Sequence, residues 1–234
     1  MNSATVEVSA PRIELAAVRD IVPVAASVVP FALVIGSAMR EIGVSGGVGV
    51  LGGGAMYSGS AHLAAVALLG AGAELVMILA AVAVINSRLL VYGAALEPRF
   101  RTQPRWFRWL GPHFLVDQTY ALATARDDLD APDRFRRYWV VTGLVLGAFW
   151  IAAMAAGMGL GAAIPASSPL NFTATAVIIA LLAPRLRARP QVLVAAVAAA
   201  VATTSSSLPN GLGLGVGLAA GIVAGALIEA GRRR

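Results

Sequence analysis

The sequence predicts an all-α fold: a polytopic transmembrane helix bundle of about seven spans, or six spans plus a re-entrant broken one, with a faint inverted repeat. Three observations predict it. Of 234 residues, 58% are hydrophobic and 13% are charged, too little polar surface to cover a soluble globule of this size. The apolar residues gather into runs near the length of about 20 that crosses the hydrocarbon as helix. All eighteen basic residues are arginines, and apart from Arg88 they fall in the gaps between the runs. Topology explains that placement better than nucleic acid does, so the lipid bilayer is the expected partner and nucleic acid is not. With no cysteine, disulfides, thiolate metal sites and cysteine nucleophiles are excluded.

A polar segment, residues 1–19, carries Glu7 and Glu14 and has no basic stretch leading to a cleavage site, which argues against a removable signal peptide. A single transmembrane domain is expected over residues 20–231, with a basic tail at 232–234. Arg12 to Asp20 predicts a short amphipathic helix leading into the apolar run Ile21 to Met39. Pro23 and Pro30 predict a kink there. Gly46 to Leu69 is long enough to cross, yet its middle reads Gly52-Gly53-Gly54 and then Tyr57-Ser58-Gly59-Ser60-Ala61-His62. Each glycine weakens a helix by about 1 kcal/mol relative to alanine, and each polar group must find a partner in hydrocarbon. Two helical arms meeting at an unwound polar centre satisfy both demands, as at the midplane sites of transporters.

Ala73 to Leu96 follows as a further span with Asn86-Ser87-Arg88 inside it. Glu97 to Tyr138 is the one long polar segment, with eight arginines and six acids around a short apolar island, Phe114 to Ala125. Trp139 to Leu160 is a span whose first residue suits the interfacial belt. A Pro/Ser turn at Ala162 to Pro169 leads to a short helix, Asn171 to Leu182, and Val192 to Ala202 is the next apolar run. In the last span, Leu212 to Ala230, Gly213, Gly217, Gly221 and Gly225 recur every fourth residue and leave one face of nearly bare backbone for close helix packing. Ala64 to Arg88 and Thr175 to Ser207 both read as helix, turn, helix and polar end, which would make two inverted halves. The arginine-bearing segments at 97–138, 184–190 and the C-terminus are expected on the cytoplasmic side.

Arg88 is costly at depth, about 2.5–3.5 kcal/mol on insertion scales. It either snorkels or pairs with Glu97 or Asp117, or it receives a substrate carboxylate. His62 is either a hydrogen-bonded packing residue or a proton carrier. Asp117, beside Gln118 and Tyr120, either relays a proton or caps a short helix. Tyr57, Ser58, Gly59, Ser60 and Asn86 supply neutral polar groups near the breaks. His62, His113 and Asp117 lack metal-ligand spacing, so neither metal nor cofactor is expected. Gly47 to Gly52 fits G-x-G-x-x-G, but its flanks are membrane spans and not a strand and helix. Ser205 to Ser207 has no base in register, and no enzyme is expected.

Tyr57 to His62, Asn86-Ser87-Arg88-Leu89 followed by Tyr92 and Glu97-Pro98, and Leu115-Val116-Asp117-Gln118-Thr119-Tyr120-Ala121 stand in an order and spacing that resembles the AzlC-like branched-chain amino acid permeases. The resemblance runs from Asp20 onward and takes in Pro23, Pro30-Phe31 and Pro209-Asn210-Gly211. It implies an inner-membrane exporter of branched-chain amino acids, coupled to the proton gradient and working with a small AzlD-like membrane subunit. His62 stands where that family commonly has glutamine, and Gln118 where glutamate commonly follows the aspartate; both bear on substrate and coupling. The alternatives are export of another small metabolite such as methionine, or a non-transporting scaffold or sensor that docks a partner on its glycine face.

Overall fold

In the computed structural model of the chain, residues 10–163, 189–208 and 212–232 are described, and they hold helices and no strand. The α-helices are α1 (Ala10–Glu41), α2 (Gly46–Ala55), α3 (Gly59–Gly70), α4 (Leu75–Asn86), α5 (Arg88–Arg101), α6 (Arg105–Leu110), α7 (Asp117–Thr124), α8 (Pro132–Ala163), α9 (Arg189–Thr204) and α10 (Leu212–Arg232). Short 3-10 turns lie at Gly111–Phe114 and Asp127–Leu129. By length and composition Ile13–Glu41 and Pro132–Gly161 can each cross a membrane, and α4 with α5 makes a third span if that broken pair counts as one. The all-helical class therefore holds, and two or three such spans stand among the described residues. The helix expected at Asn171 to Leu182, most of the turn before it, Pro209-Asn210-Gly211, and part of the second repeat arm lie outside the described residues.

Two boundaries differ from the sequence reading. The amphipathic helix at Arg12 to Asp20 and the span after it are one continuous helix, which runs through Pro23 and Pro30. Proline is tolerated inside helices in apolar surroundings, and between the two prolines the Ser27 hydroxyl donates back to the Val24 carbonyl at 2.7 Å. Conversely, Ala73 to Leu96 is not one helix. It stops at Asn86 and restarts at Arg88.

The chain divides into two compact units. The first comprises Met1–Val29 and Ser87–Ala153. Its centre is the segment read as a polar loop, which packs a core of Leu96, Phe107, Leu129, Phe135 and Trp139 against Ile13 and Ala17. Phe100 stacks on Phe107 and meets Phe135 and Trp139 edge-on, with ring centroids 5.3–5.4 Å apart. Burying each such ring contributes about 1.5–3 kcal/mol. Trp139, expected in the interfacial belt, is instead fully buried, and its indole N–H donates to the Gly111 carbonyl at 2.8 Å. Arginines tie the segment together: Arg99 donates to the Ala123 carbonyl near the end of α7 at 2.7 Å, and Arg136 donates to Gln103 at 3.0 Å. Arg126 donates to Asp20 at 2.8 Å and to Asp128 at 2.8 Å, and the Tyr138 hydroxyl donates to the same Asp20 oxygen at 2.9 Å.

The second unit comprises Pro30–Asn86 and Met154–Arg234. Here α1 and α8 touch backbone to backbone. A Cβ added to Gly36 would meet the Met154 carbonyl, one added to Gly157 would meet the Leu33 carbonyl, and the Ser37 hydroxyl donates to the Gly157 carbonyl at 3.0 Å. Gly49 and Gly53 of α2 face the side chains of Met158 and Met154. Gly43 (φ 82°) and Gly72 (φ 73°) end α1 and α3 in the left-handed conformation that closes helix C-termini. Gly213, Gly217 and Gly221 lie against the α9 side of the α9–α10 hairpin: a Cβ at Gly217 would sit 2.6 Å from the Ala202 Cβ, and one at Gly221 would sit 2.9 Å from the Ala198 Cβ. Gly225 has more room, 3.7 Å from Val194.

Candidate functional site

Two polar clusters form, one in each unit. That in the second unit is built on the break between α2 and α3. The Met56 N–H donates to the Gly52 carbonyl at 2.7 Å, and the Ser58 N–H donates to the Met56 carbonyl at 2.8 Å. The chain thus turns tightly around Tyr57 before α3 begins. Ser58 precedes α3 in the capping position, yet its hydroxyl makes no cap and donates instead to Asn86 Oδ1 at 2.7 Å. The backbone N–H groups that open α3 at Gly59 and Ser60 therefore carry the positive end of the helix dipole without a capping side chain. His62 is buried one turn into α3, and its backbone N–H donates to the Ser58 carbonyl at 2.9 Å. Gly53 packs beside this ring, where a Cβ would collide with the Met154 methyl and lie 3.9 Å from His62 Cε1.

The cluster in the first unit is built on α5 and α7. Arg88 opens α5 and Asp117 opens α7, and their side chains pair at 2.9 Å, Nη1 to Oδ2. Of the partners open to Arg88 on sequence, Asp117 and not Glu97 holds it; Glu97 instead faces Arg101 at 3.9 Å. Asp117 is the first helical residue and not the cap, which is Val116. Capping is done from within by Thr119, whose hydroxyl accepts from the Val116 N–H at 3.1 Å and donates to the Phe114 carbonyl at 2.6 Å. Tyr92, one turn after Arg88, interacts with the Asp117 carboxylate. Its ring stacks on Tyr120, centroids 4.2 Å apart and planes 11° from parallel.

Tyr92 and Tyr120 are members of this cluster that the sequence reading left outside the candidate site. A signal was present: Arg88 and Tyr92 are four apart, Asp117 and Tyr120 three apart, so each pair shares a helix face. The structure thus brings Ser58 to Asn86, and Arg88 to Asp117. Asn86 and Arg88 flank Ser87 in the chain, so each cluster takes one of its members from one side of the same helix break. His113 stands at the end of the first 3-10 turn, against the Phe114 ring.

In this arrangement a guanidinium, a carboxylate and two stacked phenols can bind a small zwitterion with an apolar side chain. Residues 23–164 match the family model described as AzlC protein. No match is found among curated proteins or among solved structures. The family match covers more than half of the sequence, ends before α9, and takes in every residue of both clusters; the chain belongs to the AzlC family, a membership that supports a membrane protein with a general role in branched-chain amino acid transport.

Proposed function

We propose that the chain is a secondary transporter that exports branched-chain amino acids across the bacterial cytoplasmic membrane by alternating access. In this reading it crosses about seven times, has its C-terminus in the cytoplasm, draws on the proton gradient and works with a small AzlD-like membrane subunit. The observation that carries the reading is the Arg88–Asp117 pair beside the Tyr92–Tyr120 stack. An amino acid carries the same two charges that this pair sets against each other. As it enters, its carboxylate replaces Asp117 on the planar Arg88 guanidinium, and its ammonium replaces Arg88 on Asp117. Two ion pairs stand where one stood, and no charge is left uncompensated in poorly screened surroundings. The tyrosine faces offer an apolar wall to a leucine, valine or isoleucine side chain.

Protonating Asp117 removes the ammonium site and releases Arg88, which makes Asp117 the first choice of proton carrier; His62 is the second. Tyr57, Ser58, Gly59, Ser60 and Asn86 are assigned as neutral partners at the other cluster, where the Ser58–Asn86 bond is made and broken as the helix breaks move. The test is counterflow of labelled leucine into vesicles that hold the chain and its small subunit, with and without a pH gradient. Uptake that responds to the gradient and is lost in Arg88→Ala and Asp117→Asn supports the reading. Leucine transport that survives both substitutions overturns the site. Uptake of methionine but not leucine would replace the substrate, and no uptake of either from folded protein would favour the scaffold.

A further inference from the structure

The helix α6, RWFRWL, turns only Phe107 inward, where it is fully buried. Trp106, Trp109 and Leu110 stand at i, i+3 and i+4 along one side of the helix, and they are 54%, 85% and 64% exposed. An exposed tryptophan pair flanked by Arg105 and Arg108 has the composition of a segment lying at the bilayer surface, with rings at headgroup depth. The adjoining helix sets the same depth: α5 exposes Leu90 and Val91 in its first turn and ends on Arg99 and Arg101. Going along α5 therefore leads from an apolar outer surface to a basic one.

Where α5 meets α6 and the 3-10 turn after it, a cavity of about 280 Å³ opens, with Phe100, Pro112 and Leu115 in its wall and Arg101, Arg108 and Glu97 around it. Neither Arg105 nor Arg108 enters an ion pair among the described residues. Glu97 faces Arg101 at 3.9 Å, and both side chains are more than half exposed, a weak pair that a stronger anion displaces. Two arginines over an apolar floor suit a phosphodiester anion, and the tryptophans beside them suit the glycerol and acyl region below it.

We infer that this cavity, together with the outer face of α6, is a binding site for the headgroup of an anionic phospholipid. The site is separate from the Arg88–Asp117 cluster and does not depend on what the chain transports.

The test uses the full chain, purified in neutral detergent and freed of lipid. Tryptophan fluorescence is followed during titration with phosphatidylglycerol or phosphatidylcholine carrying brominated acyl chains. Trp139 is sealed in the core and Trp150 is 7% exposed, so quenching reports Trp106 and Trp109. Phosphatidylglycerol is expected to quench at a several-fold lower mole fraction than phosphatidylcholine. Arg108→Gln should move that midpoint up by about fivefold, and Arg101→Gln should do the same through the second cavity arginine. Arg105→Gln removes an equal charge from the same helix outside the cavity and should move it by less than about twofold.

Equal quenching by the two lipids would overturn the site. Equal shifts for Arg105→Gln and Arg108→Gln would also overturn it, in favour of diffuse surface charge. Inorganic phosphate that displaces phosphatidylglycerol beyond the effect of chloride at the same ionic strength would assign the cavity to free phosphate instead. Folding of each variant is checked by the unquenched emission of Trp139 and Trp150; should Arg108→Gln fail that check, Arg101→Gln decides.

Discussion

Asp117 meets Arg88 as one helix N-terminus meets another, their charged atoms 2.9 Å apart. The two ends are not equivalent. A carboxylate is favoured at the positive end of α7, whereas a guanidinium at the positive end of α5 is opposed by its own helix dipole. Asp117→Asn should therefore cost more stability than Arg88→Ala, since it leaves Arg88 facing like partial charge with no counter-ion. A difference of about 0.3–1 kcal/mol is expected, read as a lower melting temperature for the Asn variant. Equal melting temperatures would show that the dipoles contribute nothing. Arg88→Lys should fold normally yet transport poorly, because an ammonium lacks the guanidinium fork.

Ser58 donates its hydroxyl to Asn86 and leaves α3 without a side-chain cap. Ser58→Ala should lower stability by about 0.5–1.5 kcal/mol, the net worth of one hydrogen bond to a half-buried acceptor. Thermal unfolding of the variant in detergent checks this. Asn86→Ala on the Ser58→Ala background should cost less than it does alone, and additive losses would mean that the two side chains are not coupled.

The glycines of α10 should not respond alike. Gly217→Ala forces a methyl to 2.6 Å from the Ala202 Cβ, and the overpacking should destabilise by about 1–3 kcal/mol. At Gly225 the nearest side-chain atom stands at an ordinary contact distance of 3.7 Å. Gly225→Ala should therefore be neutral or stabilise by about 0.4–1 kcal/mol through the unfolded chain. Melting curves of the two variants, without any partner present, separate packing against α9 from packing against another protein.

The Arg126 guanidinium, hydrogen-bonded to Asp128, holds that carboxyl below the usual aspartate range and is itself held further above its own. A carboxyl depressed in the folded state stabilises fully above its unfolded pKa of about 3.9 and loses that contribution as pH falls through its lower folded value. Hydrogen-exchange protection in the 126–134 region, taken relative to the unfolded chain at the same pH, should therefore be full at neutral pH and fall below about pH 4. Asp128→Asn should exchange faster at neutral pH and show a flatter acid response; an unchanged acid response would place the sensitivity elsewhere.

The break before Ser58 was legible because glycines and hydroxyls inside an apolar run have few other physical solutions. Arg88 was legible as an expensive charge, but its partner was open between Glu97 and Asp117, since helix faces across a loop of unknown path cannot be phased from spacing alone. The backbone contact of α1 with α8 escaped notice for a related reason. Gly36 stands singly in its run, and Gly157 and Gly161 acquire meaning only once Leu33 and Ser37 are known to lie opposite them. The polar segment misled most. Its arginines announce a solvated loop, yet Arg99, Arg126 and Arg136 bind its carbonyl groups and carboxylates, and its aromatic residues occur too irregularly to betray a core.

That core has a consequence for biogenesis. Apart from Ile13 and Ala17, which are already made, its buried members lie between Leu96 and Trp139, so the contacts are short-range and form quickly once that stretch leaves the ribosome. The remaining apolar length of α8 emerges only afterwards. A segment already folded around Phe107 and Trp139 is expected to resist passage through a translocation channel, so early folding would hold residues 97–138 on the side where they are made, alongside the arginine count.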